Sequence, residues 1–456
     1  MLKWFSSKAR CWLIYHGLIL VAVAAGWGAL CLLHDRIPFT ERVAHAMHPS
    51  AAQEAAPDLV RTLPPVRGQQ GVLPLSGEYE KKSALLLSCK AAQMYGTVLV
   101  DIVKALHKRV LIICLVGSAS EQEAVQGGFR SAGIPDSAVQ FSIIPMDTMW
   151  LRDYGPFFVQ RADGTVMVVQ ATYRFKRYTK TDDEHVTVEV RPEDEQVPSI
   201  LAAKMKLPIA RMPLDLAGGS LLSNGDGLGV FTYRVLVRNK QSRGYDVKKV
   251  FALLSEYLGF QRLVAVTSLK GEPTGHADMF MTFLAPDVAV VSKCDAKTDP
   301  ENARRLDEIA NALANLKTSR GPMRVYRVPL PPPKGTYWRT FTNIIMANGA
   351  LLMPTFADLD PQMQTEAMET YSRLLPGWQI VGVRADPLLG GNGLLHCITM
   401  DVPAFVKLPA AVPPPATQGG LPVGLSLLLS FAKTPTPLKP LTFRASGPDP
   451  TLPGSR

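Results

Sequence analysis

The 456-residue sequence predicts one large α/β domain held between two tails, and three observations carry that reading. Apolar runs of strand length alternate with segments of helical period from about residue 75 to about residue 406, no linker interrupts them, and the composition changes sharply on both sides. With 47% hydrophobic and 19% charged residues, the chain has the balance of a globular protein with a substantial core. A single α/β domain accommodates that length.

Residues 83–89 (SALLLSC) and 109–116 (RVLIICLV) read as strands, the second fully buried, and 94–106 between them carries a helical period. A second helix covers 120–133 and ends on Gly133. The alternation returns with a helix at 250–260, a strand at 288–294, a helix at 300–316 and a strand at 350–356. Asn348-Gly349, just ahead of that last strand, is a hairpin signal. The acidic stretch 181–198 is expected to be a long loop. A weak likeness between 217–225 (AGGSLLSNG) and 389–397 (LGGNGLLHC) gives each a Gly-Gly turn feeding a short strand.

The ends read differently. Residues 11–33 are apolar except for His16, long enough to span hydrocarbon, and follow a basic start, so 1–36 is expected to be a signal anchor in the cell membrane with the catalytic domain outside the cytoplasm. Cleavage at the small-x-small site of 44–46 would give a secreted form. Residues 37–74 read as a spacer, 75–406 as the catalytic domain, and 407–456 as a Pro-rich disordered tail. The net charge of +10 comes without a basic helix or an aromatic-interleaved basic patch, and part of it lies in the tails, so nucleic acid is not an expected partner. Six cysteines without a CxxC pair or a metal-like cluster indicate neither a disulfide framework nor a metal site. Cys89 and Cys114 sit in apolar runs as buried thiols, which leaves Cys397 in the unusual setting.

Four segments put polar side chains where apolar ones are expected. In 146–158 (MDTMWLRDYGPFF), Arg152 and Asp153 precede a Gly-Pro turn, as a structural ion pair or as part of a site. In 271–283 (GEPTGHADMFMTF), strand alternation would put His276, Asp278 and Phe280 on one face, either exposed or buried for a purpose. In 388–403, glycines lead into a run read as a strand with Leu395 and Cys397 on one face and His396 on the other, so the partner base of the thiol has to come from elsewhere, with His276 the candidate. In 341–354, Asn343 serves a site as an amide or merely satisfies backbone groups.

RDYGP at 152–156, GGSLLSNGDG at 218–227, GHADMF at 275–280, ANG at 347–349 and GGNGLLHCIT at 390–399 occur in the order and approximate spacing of the agmatine deiminase and bacterial (Porphyromonas-type) peptidylarginine deiminase family. Over about residues 75–406 the sequence resembles that family. The resemblance implies a pentein α/β-propeller of five pseudo-symmetric ββαβ modules with the active site in the central channel. It also implies that Asp153 and Asp278 grip a substrate guanidinium, His276 moves protons, Cys397 attacks the guanidinium carbon, and Gly390 and Gly391 shape the turn that presents it.

Those residue types suit the chemistry. A guanidinium is planar and always charged, so paired carboxylates hold it. A thiolate adds to its carbon, the histidine protonates the departing ammonia, and water activated by the same histidine hydrolyses the covalent thiouronium. No cofactor and no metal is called for. Where relatives have Glu-Gly-Gly, with the Glu partnering the catalytic histidine, this chain has Ala217-Gly218-Gly219; Asp215 or Asp226 is the candidate replacement, and a weakly active pentein that binds guanidinium ligands is the alternative. For the substrate, Arg174, Lys176 and Arg177 would repel the second cation of agmatine and could bind the carboxylate of a C-terminal arginine, which favours arginine peptides. Agmatine, converted to N-carbamoylputrescine, is the alternative substrate.

Overall fold

The computed structural model describes residues 60–62, 71–173, 176–180 and 186–408. The predicted membrane segment at 11–33, residue Arg174 and the Pro-rich tail from 409 onward lie outside them. Among the described residues no helix is long and apolar enough to cross a membrane.

Five repeats of one unit make up the large body. In each, a short hairpin leads into helix, and a third strand then returns parallel to the second strand of the hairpin. One module runs from strands Phe157–Gln160 and Val166–Thr172 through helix Pro192–Met205 to strand Ile209–Asp215. The next comprises Leu221–Ser223, Leu228–Thr232, helices Tyr233–Arg243 and Val247–Leu258, and Arg262–Val266. The third has Met281–Ala285, Val288–Lys293, helix Pro300–Ala314 and Arg324–Pro329. The fourth has Ile345–Ala347, Ala350–Thr355, helix Pro361–Leu374 and Gln379–Arg384. The fifth is closed by both ends of the domain: Thr399–Pro403 forms the hairpin with Lys82–Ser88, and helix Gly96–Leu106 returns to Leu111–Val116, beside which Val139–Ile143 adds a fourth strand.

The expected α/β alternation is thus present, and its cause is visible in burial. Leu85, Leu86 and Leu87 are all fully buried, because the strand is covered on both faces and needs no polar alternation. Helix Gly96–Leu106 turns Val98, Leu99, Ile102, Val103 and Leu106 inward at the spacing of a helical stripe. Asn348 and Gly349 have φ of 44° and 89° and join Ala347 to Ala350, a two-residue hairpin turn. The Asn348 side chain also bonds the backbone N–H and carbonyl of Lys82 and the carbonyl of Arg109, clasping two modules together.

Three expectations need correction. The stretch 181–198 is no simple loop: Val186–Val190 is a strand, paired in a ribbon with Lys176–Lys180, and a helix starts at Pro192. Pro192 and the acidic first turn of Glu193, Asp194 and Glu195 suit a helix N-terminus, and Val197, Leu201 and Met205 bury the inner face. The spacer is not wholly outside the fold, because Val60–Thr62 pairs antiparallel with Arg262–Val266, and the N–H groups of Leu73 and Leu75 bond the carbonyls of Gln160 and Leu258. Finally, neither His276–Phe280 nor Leu395–Cys397 is strand. Short 3-10 turns occupy Ala277–Met279 and His396–Ile398, and the strands begin at Met281 and Thr399. Gly275, at φ 66°, and the Glu272 carboxylate, which accepts the N–H groups of Thr274 and Gly275, bend the first segment; the Thr399 hydroxyl holds the second by bonding the carbonyls of Leu395 and His396.

Candidate active site

Each module enters its first strand through a short turn, and four of these five turns carry the polar residues singled out in the sequence. The helix Leu151–Tyr154 brings Asp153, the turn Gly218–Ser220 brings backbone, Ala277–Met279 brings Asp278 with His276 at its cap, and the segment before Ile345 brings Asn343. His396–Ile398 brings Cys397.

Cys397 is 5% exposed. The Asn343 amide donates to its Sγ at 3.3 Å and accepts the His396 backbone N–H at 2.9 Å, so this fully buried asparagine both contacts the thiol and fixes the turn that holds it. Burial first, then the Asp278 and Asp153 carboxylates, push the thiol well above its ordinary range, with a backbone bond at Leu394 and Asn343 opposing. Burial and the two carboxylates thus favour the neutral thiol in the free site.

His276 is buried, with Nδ1 3.6 Å from Asp153 Oδ1. Burial raises the Asp153 pKa, His276 opposes and Asp278 reinforces it. Oδ1 of Asp153 and Oδ1 of Asp278 are both buried, and neither has a hydrogen-bond partner among the described residues. Such atoms are costly unless a donor reaches them. The other oxygen of Asp278 is taken: His396 Nδ1 lies 2.7 Å from Oδ2.

His396 continues outward. Its Nε2 lies 2.7 and 2.8 Å from the two oxygens of Glu78, to which Arg152 Nη1 also donates at 2.9 Å. Burial alone would raise Glu78, but Arg152 and then His396 outweigh it and hold the carboxyl far below the usual range. Lys82 and Asp401 complete the cluster, 3.3 Å apart, with Lys82 also bonding the Glu78 carbonyl. Burial, against the attraction of Lys82, raises Asp401.

The second position of the ring is supplied by backbone. Ala217 is 8% exposed and lies in an apolar cluster with Leu86, Met400 and Val402. Neither proposed substitute for the missing carboxylate serves His276: Asp215 is bonded by Arg243 and Ser242, and Asp226 by Ser319. Asp153 is the carboxylate beside the imidazole. A Cβ on Gly219 would lie 2.6 Å from His276 Nδ1 and 3.0 Å from Asp278 Oδ2, so this glycine is what lets both side chains pack against the turn.

The structure therefore brings Asp153 beside His276 and sets Asn343 on Cys397, whose thiol lies in the field of Asp153 and Asp278. Gly391 ends the turn Asp386–Gly391 ahead of the Cys397 segment. A Cβ on it would lie 2.3 Å from the Trp150 ring, and one on Gly393 2.2 Å, so these glycines seat Trp150, whereas Gly390 faces open space. Arg177 lies in the ribbon strand Lys176–Lys180. Glu78, Lys82, His396 and Asp401 were missed by sequence reasoning. Only His396 carried a signal, its adjacency to Cys397, and the strand reading discarded it.

A family model for Porphyromonas-type peptidyl-arginine deiminase matches residues 81–403. Among curated relatives, a putative agmatine deiminase 1 of Listeria monocytogenes is 26% identical over 282 residues, covering 56% of this chain and 76% of the relative. The agmatine deiminase of Pseudomonas fluorescens is 26% identical over 284 residues, covering 57% and 75%. Among solved structures, a putative arginine deiminase from Porphyromonas gingivalis superposes with a TM-score of 0.63 at 21% identity, covering 74% of this chain and 99% of that one. C. jejuni agmatine deiminase with substrate bound gives 0.62 at 19%, covering 75% and 99%. Fold and relatives define a pentein among the hydrolases that act on guanidino groups. Within that class, the chain belongs to the Porphyromonas-type peptidyl-arginine deiminase family.

Proposed function

We propose that the chain deiminates arginine in peptides, converting the guanidino group to a ureido group and releasing ammonia, with Cys397 as nucleophile. The observation that carries the reading is the pair of buried, unbonded oxygens, Asp153 Oδ1 and Asp278 Oδ1, whose carboxylates raise the pKa of a buried thiol. A guanidinium offers N–H donors to both at once.

The substrate cation offsets the carboxylate field that keeps Cys397 protonated, and the thiol proton passes to His276. The thiolate adds to the guanidinium carbon, and the tetrahedral adduct expels ammonia with the proton returned by His276. Water then gives a proton to the same imidazole and adds to the thiouronium carbon; the C–S bond breaks with its electron pair going to sulfur, His276 returns its proton to the thiolate, and the ureido product leaves after losing its hydroxyl proton to solvent. Asn343, donating to Sγ, stabilises the thiolate in both halves. Asp153 does double service, accepting from the substrate and orienting His276, in place of a carboxylate at position 217.

Peptide arginine is favoured by the run Arg174, Lys176, Arg177 and by the apolar segment 11–33, which would place the enzyme at the cell membrane facing outward. Agmatine is the second reading, favoured by the printed names of the curated relatives. Ureido product and ammonia are measured on the full chain with agmatine, free arginine and peptides ending in arginine side by side. The peptide should have the highest kcat/KM, and Arg177→Ala should raise KM for it while changing agmatine turnover little. A preference for agmatine overturns the substrate assignment, and product from none of the three overturns the activity. Fractionation of cells for the full chain tests the location.

A further inference from the structure

We infer that His396 is a positioning residue: by bonding one oxygen of Asp278 and anchoring itself on Glu78, it fixes the other oxygen of Asp278 toward the substrate cation. The inference rests on the guanidinium reading of the site and assigns the residue that orients one of its two carboxylates.

Geometry sets the charge state. Both ring nitrogens of His396 lie 2.7 Å from carboxylate oxygens, Nδ1 from Asp278 Oδ2 and Nε2 from Glu78 Oε1. Ionised carboxylates only accept, so both nitrogens must donate, and only the imidazolium has two N–H groups. The ring is 3% exposed. The charged groups facing it are Glu78 ahead of the first strand, Arg152 on the short helix and Asp278 on its turn, with Lys82 and Asp401 one step further out. Burial and Arg152 act to lower its pKa, but Glu78 and Asp278 outweigh them and bring it to about 9. The backbone of His396 is fixed as well, since its N–H donates to Asn343 Oδ1.

This arrangement leaves Asp278 one degree of freedom fewer. With Oδ2 bonded at 2.7 Å, rotation of the carboxylate would break that bond, and Oδ1, which has no partner among the described residues, is the oxygen left for a guanidinium. Glu78 serves as the outer anchor, itself held by Arg152 at 2.9 Å. The relay Arg152, Glu78, His396 thus supports the substrate cation through Asp278 without touching it.

The test compares labelling of Cys397 by chloroacetamidine, an amidinium, with labelling by chloroacetamide, its neutral counterpart, in the full chain, read by mass spectrometry as a ratio of rates. The ratio removes intrinsic thiol reactivity and reports the grip on the cation. The parent should favour the amidinium, and the preference should fall as pH rises through about 9, where His396 loses its charge. His396→Gln, which reaches toward Glu78 but leaves Asp278 Oδ2 without a donor, should lower the ratio roughly tenfold or more, as expected for losing a bond to a charged group. His396→Asn, whose amide nitrogen replaces Nδ1, should recover part of it. A ratio unchanged in His396→Gln overturns the inference while leaving the guanidinium reading intact; no preference in the parent overturns that reading and the inference with it. Should the His396 variants fail to fold, Glu78→Gln decides: removing the outer anchor should move the fall in ratio to lower pH, and an unmoved profile overturns the inference.

Discussion

Replacing Gly219 by Ala disturbs the geometry of His276 and Asp278 without changing a charge in the site. The glycine has no positive φ, so Ala is allowed by the backbone, and the whole effect comes from one methyl group placed 2.6 Å from His276 Nδ1 and 3.0 Å from Asp278 Oδ2. Ordinary contact is about 3.4 Å or more, so the imidazole has to move by roughly 0.8 Å. Displacements near 1 Å between reacting groups cost about 10²-fold in rate, equivalent to about 2.7 kcal/mol of transition-state stabilisation. The expected result is therefore a roughly hundredfold lower kcat/KM for ureido product, with a stability loss of about 1–3 kcal/mol from overpacking. Gly127→Ala is the control: it lies in the helix Ala119–Ser131 with nothing within 4 Å of the added Cβ, and it should leave activity unchanged while gaining about 0.5–1 kcal/mol. A Gly219→Ala protein within about threefold of the parent would show that His276 does not need the position the structure gives it, and would remove it as the proton carrier.

Cys397→Ser should lose turnover altogether while its melting temperature stays within about 2 °C of the parent, since a hydroxyl fills the same space but is far harder to ionise. Because burial and two carboxylates push the Cys397 thiol up, neutral iodoacetamide at pH 7 should alkylate it more slowly than a free cysteine, and faster labelling than that would contradict the resting state described. Asn343→Ala should lower kcat by roughly tenfold or more, as the Sγ donor and the brace on the His396 backbone go together. Asp194 accepts from the Asp147 and Thr148 N–H groups and the Thr148 hydroxyl, and burial, against those bonds, raises its pKa from 3.8 to about 6. The native state therefore binds that proton more tightly than the unfolded chain, so relative to Asp194→Asn the parent should lose stability as pH rises from about 4 to about 6, read from urea midpoints. Parallel pH profiles of the two would refute this.

What was legible in the sequence was whatever local chemistry decides. The runs at 83–89, 109–116, 288–294 and 350–356 are strands because chains covered on both faces read as unbroken apolar segments, and Asn348-Gly349 turned because both positions need positive φ. The turns at Ala277–Met279 and His396–Ile398 were misread because alternation inside apolar sequence imitates a strand, while the forces that bend them come from Glu272, Gly275 and the Thr399 hydroxyl. The helix Pro192–Met205 was obscured by the acids of its own first turn, which suit its N-terminus. Glu78 could not be found by any local pattern. It lies 318 residues from His396, and only closure of the ring by Thr399–Pro403 on Lys82–Ser88 brings the two together.

The turn Gly218–Ser220 shows why a ring of this kind tolerates Ala217. Each of the other four turns contributes a side chain to the site, but here the backbone itself is the contribution: a Cβ on Gly218 would lie 2.1 Å from the Arg152 carbonyl, and one on Gly219 would displace His276. Close approach of this turn is therefore a steric requirement independent of any carboxylate at 217. With Asp153 Oδ1 already 3.6 Å from His276 Nδ1, and Asp278 held by His396, the imidazole keeps an acidic neighbour without it. In the proposed mechanism the cost falls on Asp153, which serves His276 and the substrate with one carboxylate, so Asp153→Asn should damage binding and proton transfer together, raising KM and lowering kcat, whereas a residue that only gripped the substrate cation equally in ground and transition states would raise KM alone.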